Sequence, residues 1–186
     1  MVSQVLRRDE KLGSESKVLI LGFLPRNDSS FLKTLLSAII PVKLVLQRVT
    51  GASVSVDEKE IACIDKGLVV LFGAEKGDGQ GQADFLAEKT LNLRIFPDEN
   101  GKMNRSCLDV GGSILVVSQF TLAGDCSRGR RPGFDRAAAP ETARALYEYY
   151  ARVLGRSGLP IAMGQFAANM KVSLVNDGPV TFLLER

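Results

Sequence analysis

From Lys43 to the C-terminus, short apolar stretches alternate with clusters of Gly, Asp, Asn, Ser and Pro, a spacing that predicts strands joined by tight connections. Lys43–Val49 and Ala52–Val56 read as strands, the second half-exposed because Val54 and Val56 alternate with serines. Asp57-Glu58-Lys59 predicts a turn into Glu60–Ile64, a hairpin. After Gly67, the unbroken apolar run Leu68–Phe72 has the pattern of a central strand. Gly77–Gly81 reads as loop, and Gln82 to about Asn92 as helix, with Phe85, Leu86 and Lys89 at helical spacing. Pro97–Gly112 predicts a long polar loop and Ser113–Gln119 a second buried strand.

The clearest helix begins at Pro140, a residue suited to a first helical position, with Glu141 placed favourably for the helix dipole. Ala143, Leu146, Tyr147, Tyr150, Val153 and Leu154 form one apolar face, and Gly155 or Gly158 can end it. Strands then return at Ile161–Phe166, Met170–Val175 and Val180–Leu184. Six to eight strands and two helices without strict alternation predict an α+β domain with a mostly antiparallel or mixed sheet.

Residues 1–42 break the pattern. Their longest apolar run, Val18–Leu24, is far short of the roughly 20 residues that cross a bilayer. Asp9, Glu10, Glu15 and Asp28 do not suit a transit peptide, and no signal-peptide pattern is present. The expected organisation is therefore a domain over 43–186 behind an extension over 1–42. That extension is either disordered or loosely docked, or lies upstream of a native start at Val42 that would give MKLVLQRV. Peptides from residues 1–41 in the host's own protein would exclude the second alternative.

Charge and composition then narrow the chemistry. The 186 residues carry a net charge of +3, with no polybasic tail. Histidine is absent, which removes Ser-His-Asp and Cys-His catalysis and every His-ligated metal site. Three scattered cysteines fit a reducing cytosol: Cys63 reads as core, while Cys107 and Cys126 fall in polar loops. Gly77-Asp78-Gly79-Gln80-Gly81 lacks the rest of a phosphate loop and the third glycine of GxGxxG. Neither cofactor nor metal is expected.

Two segments are locally unusual. Ser118-Gln119-Phe120-Thr121 puts polar side chains at the end of a buried strand, where backbone is fixed and N–H groups come free. Taken alone it is also an ordinary strand terminus. Asn176-Asp177-Gly178-Pro179-Val180-Thr181 carries turn chemistry between two strands, so a hairpin is the default, although a Gly-Pro bond can be cis and aim its carbonyls unusually.

Together these segments resemble the D-aminoacyl-tRNA deacylases, historically the D-tyrosyl-tRNA deacylases, which carry an SQFT motif (Ser118–Thr121) and an NxGPVT motif (Asn176–Thr181). LQRVTGASVSV, LRIFPDENGKMNRS, GRRPGFDRAAAPE and NMKVSLVNDGPVT extend the resemblance over Lys43–Arg186 in family order. One departure is Ala123-Gly124-Asp125, where bacterial members usually have Tyr-Ala-Asp; the missing aromatic is expected to loosen a pocket wall.

The resemblance implies a β-barrel-like homodimer in the cytoplasm, acting on aminoacylated tRNA, with neither DNA nor membrane as partner. It implies hydrolysis of the ester between a D-amino acid and the terminal ribose, and of glycyl esters, while L-aminoacyl-tRNA is spared. It assigns catalysis to Ser118, Gln119, Phe120 and Thr121, and chiral filtering to Gly178, Pro179 and Asn176, with Arg48 holding the filter. Without the resemblance Arg48 is a surface charge near a strand. Water activation is expected to come from the tRNA 2′-OH rather than from Thr121 as nucleophile, for want of a base. Arg128, Arg130, Arg131 and Arg136, with Lys102 and Arg105, are candidates for phosphate contacts or simply a solvated surface. Two other outcomes stay open: a non-catalytic RNA-binding module, and a relative with a trans Gly-Pro bond that takes L-aminoacyl-tRNA.

Overall fold

The computed structural model describes residues 42–186; the expected extension over 1–42 lies, but for Val42, outside the described residues. Among them are eight strands and two α-helices: β1 Lys43–Val56, β2 Lys59–Ile64, β3 Gly67–Gly73, α1 Gln80–Asn92, β4 Phe96–Pro97, β5 Met103–Arg105, β6 Ser113–Ser118, α2 Pro140–Gly155, β7 Ile161–Met163 and β8 Met170–Glu185. Six strands form one mixed sheet in the order β2-β1-β3-β6-β7, with β8 along the free side of β1. Pairing is antiparallel around β1 and parallel for β3–β6 and β6–β7. The sheet curls into a nearly closed barrel, the α+β architecture expected.

Both faces of its centre are buried. Leu68, Val70 and Phe72 of β3 and Ile114 and Val116 of β6 pack toward α1 and α2. Their alternates Val69, Leu115 and Val117 meet Val49, Val54 and Ile64 inside the curl. Strands buried on both faces need apolar side chains at every position, which is why these two segments are unbroken runs. Leu146, Tyr147, Tyr150 and Leu154 are the buried face of α2, and the Tyr150 hydroxyl is satisfied by Thr90 Oγ1 at 2.7 Å.

Several expectations need correction. Lys43–Val49 and Ala52–Val56 are one strand, because β8 pairs along the whole of β1 while β3 and β2 share its other side. The segment Asn176–Pro179 makes no hairpin: both halves of β8 pair with β1, and the chain bulges out between them. Ile161–Phe166 is a strand only as far as Met163, where pairing with β6 stops. The polar loop 97–112 contains most of the small β4–β5 ladder and a turn that buries Ser106 and Cys107. Cys107 is thus core, its thiol pushed up to about 12 by burial. Cys63, expected in the core, is exposed on the edge strand β2.

Candidate active site

The parallel pair β3–β6 fixes the first segment. Beyond Ser118 the Gln119 N–H donates to the Phe72 carbonyl at 2.7 Å, and Phe120–Ala123 then form a single 3-10 turn. Ser118, Gln119 and Phe120 line a cavity of about 550 Å³ whose other walls include Phe72, Tyr147 and Phe166. Tyr147 is no base: burial raises its pKa, and its hydroxyl lies 2.9 Å from the carbonyls of both Val116 and Gly164. Thr121 is turned so that its Oγ1 accepts from the Gln119 side-chain amide. An amide N–H cannot take a proton, so this neighbour does not prepare Thr121 for nucleophilic attack.

The second segment is built by a register break. Gln47 pairs with Thr181 and Val49 with Asn176, so Asp177–Val180 all bulge opposite Arg48 alone. Arg48 fills the space under the bulge: its Nε lies 3.0 Å from the Asp177 carbonyl and 3.0 Å from Asp177 Oδ2, and its Nη1 donates to the Ile95 carbonyl. Its side chain is 11% exposed, which corrects the surface-charge alternative. Asn176 Nδ2 donates to the carbonyls of Arg48 and Val180, each at 3.1 Å. A Cβ on Gly178 would stand 2.1 Å from Asn176 Oδ1, so the tight return of the chain requires glycine. The Gly178-Pro179 bond is cis, and both residues are exposed.

None of Arg48, Asn176, Gly178 and Pro179 lines the cavity. The structure brings together Ser118, Gln119, Phe120 and Thr121 as one group and Arg48, Asn176, Gly178 and Pro179 as another. Arg128, Arg130 and Arg131 are exposed on a loop closed by reciprocal Asp125–Gly133 backbone bonds of 2.8 and 2.9 Å. Arg136 is already engaged, 2.9 Å from Glu75 Oε2, and Arg105 donates to the Asp109 carbonyl at 2.6 Å.

Sequence reasoning missed the buried charges behind this loop. Glu75, with its side chain fully buried, lies between Arg136 and Lys43, the latter also at 2.9 Å. Its main-chain N–H donates to Asp78 Oδ2 at 2.6 Å, and burial, together with the Glu75 charge, raises the Asp78 pKa to about 6. Nothing in a single carboxylate after Gly73-Ala74 announces partners 32 and 61 residues away along the chain. Ala123-Gly124, the departure expected to loosen a pocket wall, lies beside the cavity-lining Phe120. Ala123 is buried, and the ring of Phe134 comes so close to Gly124 that a Cβ there would meet it at 3.2 Å.

The site as a whole is a polar strand end over an apolar cavity on a nearly closed mixed barrel, with an arginine-held backbone bulge apart from it. A family model described as D-Tyr-tRNA(Tyr) deacylase matches residues 45–185. D-aminoacyl-tRNA deacylases of Syntrophotalea carbinolica and Geotalea daltonii are 60% and 57% identical over 144 residues, covering 77% of this chain and 97% and 96% of those proteins. Among solved structures, the c-Myc DNA Unwinding Element Binding Protein superposes with TM-score 0.73 at 42% identity, over 77% of this chain and 98% of that one. A probable eukaryotic D-amino acid tRNA deacylase shares the fold, with TM-score 0.69 at 15% identity over 79% of this chain and all of that one. The chain belongs to the D-aminoacyl-tRNA deacylase family, whose members are hydrolases.

Proposed function

We propose that the chain hydrolyses the ester linking a D-amino acid to the 3′-terminal ribose of tRNA, and glycyl esters mischarged on tRNA for alanine, while sparing L-aminoacyl-tRNA. The observation that carries this reading is the bulge at Asp177–Val180, held from beneath by Arg48 and presenting Gly178-Pro179 outward. A filter made of backbone cannot step aside by a rotamer change, so it can exclude an L side chain while leaving the D side open. Glycine has no side chain to exclude and passes.

The filter and the cavity are separate on one chain, so a complete site needs the bulge of a second copy. Val172, Val175, Phe182 and Leu183 are exposed apolar side chains on β8, which supports a homodimer. An aminoacyl ester is already activated. Placing a water beside the ester and donating main-chain N–H groups of the turn that follows Gln119 to the developing oxyanion are then sufficient, with the tRNA 2′-OH assisting the water. Gln119 orients the carbonyl end, and no cofactor enters the reaction. Arg128, Arg130 and Arg131 contact the phosphates of a tRNA partner in the cytoplasm.

Mixing two inactive variants tests the arrangement. Gln119→Ala damages the cavity and Gly178→Ala the filter, so co-refolded mixtures should recover D-tyrosyl-tRNA hydrolysis in the heterodimer that keeps one intact site. Mixtures no more active than either variant would place cavity and filter on the same chain. A wild-type protein that binds tRNA without hydrolysing any ester would instead make this fold an RNA-binding module.

A further inference from the structure

Phe120 is 59% exposed and Phe134 is 36% exposed, and their rings pack against one another in a tilted arrangement, with centroids 5.1 Å apart at 57°. Phe120 lines the cavity, whereas Phe134 lies immediately outside it at the root of the arginine loop. Beyond Phe134 the same loop carries Arg128, Arg130 and Arg131, all exposed. The base of this loop is unusually well tied. Ala138 N–H donates to the Ala74 carbonyl at 3.1 Å, Lys76 N–H to the Arg136 carbonyl at 2.9 Å, and the Arg136 side chain reaches the fully buried carboxylate of Glu75. Gly124 lies against the same ring: a Cβ there would stand 3.2 Å from Phe134 and 2.9 Å from the Thr121 carbonyl.

From this we infer that Phe134, packed against Phe120 and carried on the same loop as Arg128, Arg130 and Arg131, is a platform for the unpaired nucleotides that precede the ester-bearing one. The inference rests on the deacylase reading and adds the residues that grip the strand outside the cavity. An exposed aromatic face beside a cationic loop is how proteins hold single-stranded nucleic acid: the ring stacks a base, the guanidinium groups take the phosphates. The platform is continuous with the cavity wall through Phe120, so a strand whose last nucleotide enters the cavity must leave across Phe134. A protein partner would not need three exposed cations beside the rings. The buried Lys43–Glu75–Arg136 anchor fits this role, since a stacking surface on a loose loop would lose affinity to ordering entropy.

The test measures binding of a 5′-fluorescent CpCpA trinucleotide by anisotropy, with unlabelled adenosine as competitor, alongside D-tyrosyl-tRNA hydrolysis by the same preparations. Phe134→Leu keeps apolar bulk against Gly124 but removes the aromatic face. It should weaken the trinucleotide by about 5- to 100-fold, the effect of losing one stacked base, and leave adenosine competition within about twofold. Phe134→Tyr should restore binding, and Arg128→Gln, Arg130→Gln and Arg131→Gln together should flatten the dependence of affinity on salt. Unchanged trinucleotide binding in Phe134→Leu would overturn the inference. Equal loss for trinucleotide and adenosine would also overturn it, by showing that Phe134 acts only through the cavity. A wild-type protein that binds the trinucleotide as expected but hydrolyses no ester would reject the deacylase reading and leave the platform standing.

Discussion

Thr121 shows how a single contact decides between mechanisms. Its hydroxyl accepts from the Gln119 amide, which cannot remove a proton, and the chain has no histidine to do so. Thr121→Ala is therefore expected to keep kcat for D-tyrosyl-tRNA within about tenfold of wild type, whereas loss of a nucleophile would cost several orders of magnitude. Single-turnover hydrolysis measures this, and complete loss in a folded, RNA-binding protein would restore the threonine as nucleophile. Asp78 makes a second prediction at this scale. Its folded pKa of about 6 exceeds the usual 3.8, chiefly through burial and then through the Glu75 charge. Between about pH 4 and 6 the folded chain holds a proton there that the unfolded chain has released, so this site stabilises the fold as pH falls from 7 toward 4. Asp78→Asn should stabilise the protein at pH 7.5 by on the order of 1–2 kcal/mol and show less gain at pH 5, read from urea midpoints at the two pH values.

At the scale of elements, β1 carries three neighbours and spends one residue, Arg48, opposite the four of the bulge. Arg48→Ala removes the cation under Asp177 and leaves the Asp177 and Ile95 carbonyls without their donor. It should cost about 2–3 kcal/mol of stability and raise hydrolysis of L-tyrosyl-tRNA relative to D-tyrosyl-tRNA, because the filter is no longer held. Glu75→Ala leaves Lys43, 17% exposed, without its partner and should cost about 3 kcal/mol, more than Arg136→Ala, whose side chain is 47% exposed. Thermal unfolding of the two variants checks the order. The strands β3 and β6 and the helix α2 were legible in the sequence because burial on two faces, or on one helical stripe, leaves a periodicity. The bulge was not. Asn-Asp-Gly-Pro has the chemistry of a turn, and only the partner strand decides whether such a turn reverses the chain or interrupts a continuous strand. Cys63 and Cys107 were exchanged for a similar reason: an apolar pattern does not say which strand is at the edge, nor a polar loop which side chain it tucks in. Of the site, the SQFT and NxGPVT segments were visible as motifs, while Glu75, Phe134 and the walls Tyr147 and Phe166 depend on approaches between distant parts of the chain.

At the scale of the whole molecule, the cavity and the bulge lie apart on one chain, and the proposed dimer would bring the bulge of one copy to the cavity of the other. Val175→Asp, at a position 63% exposed in one chain, should convert a sedimenting dimer to monomer and abolish deacylation together with it. A monomeric but active variant would break the link between assembly and site. The central claim is that chirality is read by backbone, and its most direct measurement is the rate of hydrolysis of D-tyrosyl-, glycyl- and L-tyrosyl-tRNA by one preparation of the wild-type protein. The account predicts rapid loss of the D-tyrosyl and glycyl esters with the L-tyrosyl ester untouched; comparable hydrolysis of the D and L esters, or a glycyl ester as resistant as the L ester, would contradict it.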